Sequence, residues 1–470
     1  MAPASRVAAQ AVDGTALAAT LTRALARARE RGEPVLACHT FALPSHADPS
    51  AWVHASRRPG EDWFLFEQPA RGASAIAGLG RATRIESAGP GRFADAAGRW
   101  RGVAAGAVSS GDGGPLAVGG FAFAPDGGQA PHWHGYAPAS LDVPELAVVR
   151  RGASVRATLA ANVGPDDTAA ELTERLLRRA EELHAGQLPL LDPAPAGRYR
   201  VVGAMPPEHH ELAVARATEL IAAGRFAKIV LAREVHVHAP ADHDPAAVFG
   251  VLREEFPSCF VFCVARGASA FVAASPELLL RREGHRVSTV ALAASTRRSA
   301  DPAVDDHLGE QMLRDASYRE EHAIVARRIE RLLEPHAVWV AAAREPEIVR
   351  IANIQHLATP IRAQLATPID ALELAGLLHP TPAVAGEPVA DALPLIPALE
   401  GLDRGWYLGP VGWTDAVGDG EFCVALRCAL LAGPLARCFA GGGIVRGSVP
   451  ASELAETEIK LQALLPLLSG

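Results

Sequence analysis

Long apolar runs are missing from this 470-residue chain. None reaches the roughly 18 residues that a bilayer span requires. The opening residues, MAPASRVAAQAVDGTALAAT, hold no basic stretch leading into a continuous apolar core, so no signal peptide is expected. Paired cysteines are missing too. Cys38, Cys259, Cys263, Cys423, Cys428 and Cys438 form no CxxC motif, and five sit in apolar, strand-like contexts. Buried, reduced thiols are the expectation. Basic residues are outnumbered by acidic ones, 45 against 53, for a net charge of −8. That argues against nucleic acid or an anionic membrane surface as the main partner. These absences together describe a cytoplasmic globular protein.

What is present supports a large core. Hydrophobic residues make up 49% and charged residues 21%, which excludes wholesale disorder. A chain of this size buries enough surface to need no disulfide or structural metal. Residues 17–31 read as an amphipathic helix, followed by short strands such as Trp63–Phe66 and Val118–Phe123, then a helix over Ala169–His184. The proline-rich stretch GQLPLLDPAPAGRYR, residues 186–200, is the linker candidate and divides the chain into regions 1–190 and 200–470. Beyond it, a helix over Glu208–Ala223 leads into FAKIVLAREVHVH, a strand with Lys228, Val230 and Ala232 on one face. Strands follow at Cys259–Ala265, Ala270–Ala274, Leu278–Arg282 and Arg286–Leu292, the last two joined by a hairpin turn at 283–285. One long helix is predicted from about His307 to Leu333. A meander covers Tyr407–Thr414, Glu421–Leu430 and Leu435–Ala440, and a last helix runs from Pro450 to Leu467. Tight turns between consecutive strands imply antiparallel pairing, hence an α+β fold rather than a doubly wound one.

Several residues stand out chemically. Glu321 lies three and four residues before Ile324 and Val325, on their face of the long helix. Glu453, Glu456 and Lys460 form one stripe of the last helix. A carboxylate on an apolar face must be paired or metal-bound, and oxygen ligands from two helices suit Mg²⁺. An inter-helix salt-bridge network or solvated faces fit the pattern as well. CFAGGGIVRGS, residues 438–448, lets backbone N–H groups approach an anion, or is a plain turn. Arg427 and Lys228 both sit among apolar neighbours. A buried Arg asks for a carboxylate. A buried Lys can serve as a base, or reach out from a strand edge. The histidines at 132, 134, 209, 210, 236, 238 and 243 lack partners at zinc-ligand spacing.

These pieces join when read in order. KIVLARE, SPELLL, EEHAIV, IQHLATPIR, LHPTPAVAG, DRGWYLGPVGW, ALRCALL, FAGGGIV and ELAETEIK follow one another over residues 228–461. In this the chain resembles the chorismate-utilising enzymes (anthranilate synthase component I-like), and within them the isochorismate synthases. WFLFEQP and GGFAF extend the likeness more loosely into the first half.

The resemblance implies an α+β fold of large, mostly antiparallel sheets in two layers, flanked by helices. Residues 200–470 would be the chorismate-binding catalytic region, and 1–190 would complete the sheets within one compact unit. It implies Lys228 as general base on water and Glu277 as general acid. Glu321 and Glu456 would bind Mg²⁺, with Glu453 helping to hold the metal shell. Ser295, His356, Tyr407, Arg427, Gly441, Gly442 and Lys460 would hold the substrate, chorismate. The implied reaction is the reversible, Mg²⁺-dependent conversion of chorismate to isochorismate. A salicylate synthase-like activity and a non-catalytic chorismate-binding relative are the alternatives. Lys228 favours water as nucleophile, since aminating relatives lack this base. The product would pass to a downstream isochorismate-using enzyme, with siderophore, salicylate and menaquinone routes all open. No apolar helical seam is evident, so a monomer is expected. One departure stands out: Ala294 takes the place of a family glycine near the reacting ring, which would crowd the substrate, alter the product or demand positive φ of a non-glycine.

Overall fold

A computed structural model describes residues 11–192, 196–351 and 353–470. Among them, two large sheets of 13 and 10 strands dominate. Apart from one parallel pairing of Val35–Leu43 with Val108–Ser110, the strand pairs are antiparallel, as the tight turns predict.

The sheets face each other across an apolar core. Phe64, Phe66, Phe262 and Phe271 of the first share a buried cluster with Val118, Leu278 and Val411 of the second, whereas Phe121 and Phe422 turn to the outer face, where Phe121 stacks on Phe93 of the helix Arg92–Gly106 with ring centroids 4.1 Å apart. Alternation along the strands then gives the first sheet a second buried face. Val261 and Cys263 flank Phe262 and point the other way, under the helices Gly14–Arg31, Ala169–Glu182 and Pro245–Glu255. The outer face of the second sheet takes the helix Ala316–Leu333, which packs Val325, Ile329 and Leu333 inward.

Both halves of the chain contribute to both sheets. Strand Phe260–Arg266 pairs with Trp63–Gln68 in the first. Strand Pro410–Asp415 pairs with Leu116–Phe121 in the second. Between Leu183 and Tyr199 the described residues of the stretch expected as a linker carry no helix or strand, and residues 193–195 of it lie outside the described residues. So do the first ten residues of the N-terminal segment. No helix among the described residues is long and apolar enough to cross a membrane. All six cysteines are free and buried.

The long helix expected from His307 to Leu333 is two helices, Pro302–Arg314 and Ala316–Leu333. Asp315 between them is extended (ψ 125°), and its carboxylate accepts from the N–H groups of Ser317 and Tyr318. A capping carboxylate inside a continuous helical pattern ends one helix and starts the next. The last helix likewise ends at Leu461, and a short turn of helix, Leu465–Ser469, follows.

Candidate active site

The chain changes sheets twice at neighbouring points. Strand Ser269–Ser275 belongs to the first sheet and Leu278–Glu283 to the second, so Pro276 and Glu277 form the crossing. Strand Gly420–Val424 belongs to the second and Cys428–Ala432 to the first, so Arg427 ends the return crossing. The two crossings are tied together. Ser275 Oγ donates to the Val424 carbonyl at 2.5 Å, and the Val424 N–H donates to the Glu277 carbonyl at 3.0 Å. Where strands leave one sheet for another, the layers part, and a cavity of about 470 Å³ opens there. Lys228, Glu277, Ser295, Glu321, His356, Tyr407, Arg427, Gly441, Gly442, Glu453, Glu456 and Lys460 all line it. All twelve residues expected from the sequence are therefore brought to one place.

Lys228 opens strand Lys228–His238 and is only 1% exposed. Its Nζ lies 2.9 Å from Glu321 Oε1 on the helix Ala316–Leu333. Glu277 is fully enclosed at its crossing. Burial pushes its carboxyl up to about 8, and the nearby Lys228 charge only partly offsets this. At neutral pH Glu277 is thus a proton donor.

A second cluster comes from the helix Pro450–Leu461. Glu456 Oε1 accepts from Ser295 Oγ at 2.8 Å and from Lys460 Nζ at 2.7 Å. Lys460 also donates to the Gly441 carbonyl at 2.8 Å. Burial alone would raise the Glu456 carboxyl, but Lys460, Ser295 and Lys228 together hold it below the usual range. Glu453, one turn earlier, is pushed up to about 7, first by burial and then by the charges of Glu456 and Glu321, against the bond from Ser448 and the charge of Lys460.

The glycine run supplies room. Gly441, Gly442 and Gly443 pair regularly with Ala232, Leu231 and Val230. A Cβ on Gly443 would lie 2.7 Å from Lys228 Cε and 2.8 Å from Glu321 Oε1. One on Gly442 would lie 3.2 Å from Glu453 Oε2. Side chains here would push apart the base and the acids. Strand Cys428–Ala432 covers this strand only as far as Phe439, so the backbone edge beyond it is open to a ligand.

On the opposite wall, Ala294 is the extra residue of a β-bulge. Ala293 pairs with Leu357 and Ser295 with His356, leaving Ala294 unpaired at φ +59°. Positive φ, one of the outcomes named for the alanine, is observed. The Ala294 backbone bonds the His356 ring. Burial, with the charges of Arg427 and Lys460, keeps that imidazole neutral. Arg427, at φ +48° and 6% exposed, donates to His356 Nε2. Its other terminal nitrogen, Nη1, is buried without a partner, and no carboxylate among the described residues pairs with this guanidinium. Tyr407 stacks on Phe439, with ring centroids 5.1 Å apart, and burial pushes its phenol up.

Sequence reasoning missed two features. Ser448 supports Glu453 from the loop after the glycine strand. Arg404 and Glu400 form a buried ion pair behind the wall. Arg404 donates to the carbonyls of Val384 and Val230 at 2.9 Å each, and Glu400 accepts from the Ala232 N–H at 2.6 Å. The pair fixes the base-bearing strand against the loop carrying Val384. Its spacing, Glu and Arg at i and i+4 just before the GWY motif, was the available signal. His379 of the HPTP loop is buried away from the cavity, with Nε2 3.0 Å from the Phe123 carbonyl; the loop reaches the cavity through Ala383 and Val384.

Two packed sheets whose strands exchange around a cavity of paired acids and bases define an enzyme that handles a small anionic substrate. The chain belongs to the chorismate binding enzyme family, which it matches over residues 23–469. It is 36% identical over 462 residues to the salicylate biosynthesis isochorismate synthase of Pseudomonas aeruginosa, covering 97% of this chain and 94% of that protein. It is 32% identical over 360 residues to the isochorismate synthase MenF of Bacillus subtilis, covering 76% and 75%. Among solved structures, the menaquinone-specific isochorismate synthase MenF of Escherichia coli superposes with a TM-score of 0.78 at 26% identity, over 96% of this chain and all of that one. Anthranilate synthase component I of Streptococcus pneumoniae, at 22% identity and a TM-score of 0.60 over 74% of this chain and 80% of its own, shares the fold.

Proposed function

We propose that this protein is an isochorismate synthase, interconverting chorismate and isochorismate by adding water at C2 of the ring as the C4 hydroxyl leaves. The observation that carries this reading is the Lys228 amine and the protonated Glu277 carboxyl lining one cavity, beside a buried Arg427 that no carboxylate pairs with.

Chorismate is a dianion with a ring carboxylate and an enolpyruvyl carboxylate. Arg427 offers its free Nη1 to one of them, and Lys460 and the open backbone edge at Gly441–Gly443 line the same cavity. As general base, the amine of Lys228 removes a proton from water as its oxygen bonds to C2. The two ring double bonds shift by one position and the C4–O bond breaks. Hydroxide is a poor leaving group, so Glu277 gives it a proton and it departs as water. Lys228 is left protonated and Glu277 ionised; a proton returned through solvent restores both. His356, neutral and fixed by Ala294 and Arg427, lines the ring without exchanging protons.

Glu321, Glu456 and Glu453 supply hard oxygen donors, and the Glu453 carboxyl, raised first by burial and then by the charges of Glu456 and Glu321, is one whose ionised form a cation would favour. Among the described residues no group of three or more such side chains forms a cage on its own. That fits Mg²⁺, which takes one or two carboxylates and fills its shell with water and substrate oxygens. When bound, Mg²⁺ would neutralise substrate carboxylate charge and fix its orientation. The reading carries with it a cytoplasmic monomer, whose six reduced thiols suit that compartment, and a separate enzyme that consumes the product.

The test is incubation of the purified protein with chorismate and MgCl₂, followed by chromatography and a pyruvate assay. Isochorismate without pyruvate is expected. Pyruvate release with no added lyase would move the reading to a salicylate-forming enzyme. Chorismate binding without turnover would make the protein a non-catalytic relative.

A further inference from the structure

We propose that Arg225 and Arg446 form an anion-collecting vestibule that draws the dicarboxylate substrate to the mouth of the catalytic cavity. The proposal rests on the reading above that the ligand is a dianion. A surface depression of about 650 Å³ adjoins the cavity, and the two share Ser317, Glu321, Val445 and Arg446 as walls. Arg225 stands in the turn between helix Pro207–Ala222 and the strand that begins at Lys228. Arg446 stands in the turn that follows the glycine strand. The two arginines thus sit on loops that run directly into the base-bearing strand and out of the glycine strand.

Both are exposed, and neither side chain makes a hydrogen bond or ion pair with a described residue. That sets them apart from the arginines of the neighbouring helix. Arg319 pairs with Glu345, Arg327 with Glu320 and Arg331 with Glu387. The carboxylates lining the depression are Glu320, Glu321 and Asp391. Arg327 holds the first and Lys228 the second. Two unpaired guanidinium groups therefore face one unpaired carboxylate, Asp391, on a molecule whose net charge is −8. Such a chain repels a dianion at long range, and Glu321, Glu453 and Glu456 line the cavity besides the protonated Glu277. A local cationic patch at the mouth reverses the sign of the field where the substrate must pass. Because the patch is exposed, salt must screen it, with a Debye length of about 10 Å at 0.1 M.

The experiment compares the wild-type enzyme with the double variant Arg225→Gln/Arg446→Gln and the charge reversal Arg225→Glu/Arg446→Glu. Steady-state turnover of chorismate at saturating MgCl₂ is followed from low to high NaCl. In wild type, kcat/KM should fall as salt rises. In the Gln variant, kcat/KM at low salt should drop about three- to tenfold while kcat holds and the salt dependence flattens. In the Glu variant, kcat/KM should rise with salt. Equal salt profiles in all three proteins would overturn the vestibule. So would a fall in kcat matching that in kcat/KM, which would put the arginines at the reacting ring. Both positions are exposed, so folding is preserved, and melting curves check this. Wild-type turnover is the separate baseline: its absence refutes the isochorismate synthase reading, whereas its presence with unchanged salt profiles refutes only the vestibule.

Discussion

Arg427 donates to Nε2 of His356 across 2.8 Å, and the backbone of Ala294 takes the other side of the same ring. The partner of the buried guanidinium is thus an imidazole that burial keeps neutral. A carboxylate there would cancel the positive charge. A neutral ring orients the guanidinium and leaves its charge for a ligand.

Arg427→Gln should therefore lower kcat/KM for chorismate about 10- to 100-fold, the size of a lost charge-assisted hydrogen bond of about 1.5–3 kcal/mol. Circular dichroism should be unchanged, since no carboxylate of the protein is left unpaired. Initial-rate kinetics decide the matter. A change of less than about twofold would remove Arg427 from substrate binding.

The acid–base assignment predicts a pH dependence. Burial raises Glu277 to about 8, so its proton-donating form is present below that pH and is lost as pH rises through it. The pH profile of the forward kcat/KM should fall above about pH 8. Glu277→Gln should cut turnover by about 10²–10⁴ and abolish this limb. Lys228→Ala should cause a loss of similar size while chorismate binding, measured by calorimetry, is partly kept. Near-normal turnover in either variant rejects that assignment.

Glu456 holds both Ser295 and Lys460, and its carboxylate is kept ionised by Lys460 despite burial. Glu456→Gln keeps the shape and can still accept from Ser295, but it loses the charge. The MgCl₂ concentration for half-maximal activity should rise at least about tenfold. An unchanged Mg²⁺ titration would exclude Glu456 as a ligand.

The order of motifs was enough to gather all twelve expected residues, because each motif carries its side chain at a fixed place on a strand or helix. What joins them was less legible. Glu277 and Arg427 meet because two chain segments cross between sheets side by side, and a crossing leaves no periodic mark: SPELLL and ALRCALL read as ordinary apolar strands. The restart of the helix at Asp315 was hidden by apolar spacing that continues through it, although Asp-Ala-Ser is itself a cap signal. The pairing of Trp63–Gln68 with Phe260–Arg266 spans nearly 200 residues, and no local pattern encodes it. Ala294 shows the reverse case, since a substitution for glycine did point to the backbone conformation found there.

That alanine yields the last prediction. At φ +59° an L-residue costs roughly 1–2 kcal/mol relative to its preferred regions. Glycine would remove the strain, but its freer unfolded chain gives back about 0.4–1 kcal/mol. Ala294→Gly should thus be neutral or stabilising by up to about 1.5 kcal/mol, read from denaturant midpoints. The bulge directs the Ala294 backbone at His356, and glycine adopts the same φ, so the His356–Arg427 arrangement should persist and activity be kept or rise. Ala294→Val should lose both stability and activity, because a β-branched residue tolerates this region least. If Ala294→Gly instead loses most of its turnover while remaining folded, the methyl group itself shapes the cavity against the ring, and the alanine is adapted to the substrate rather than merely accommodated.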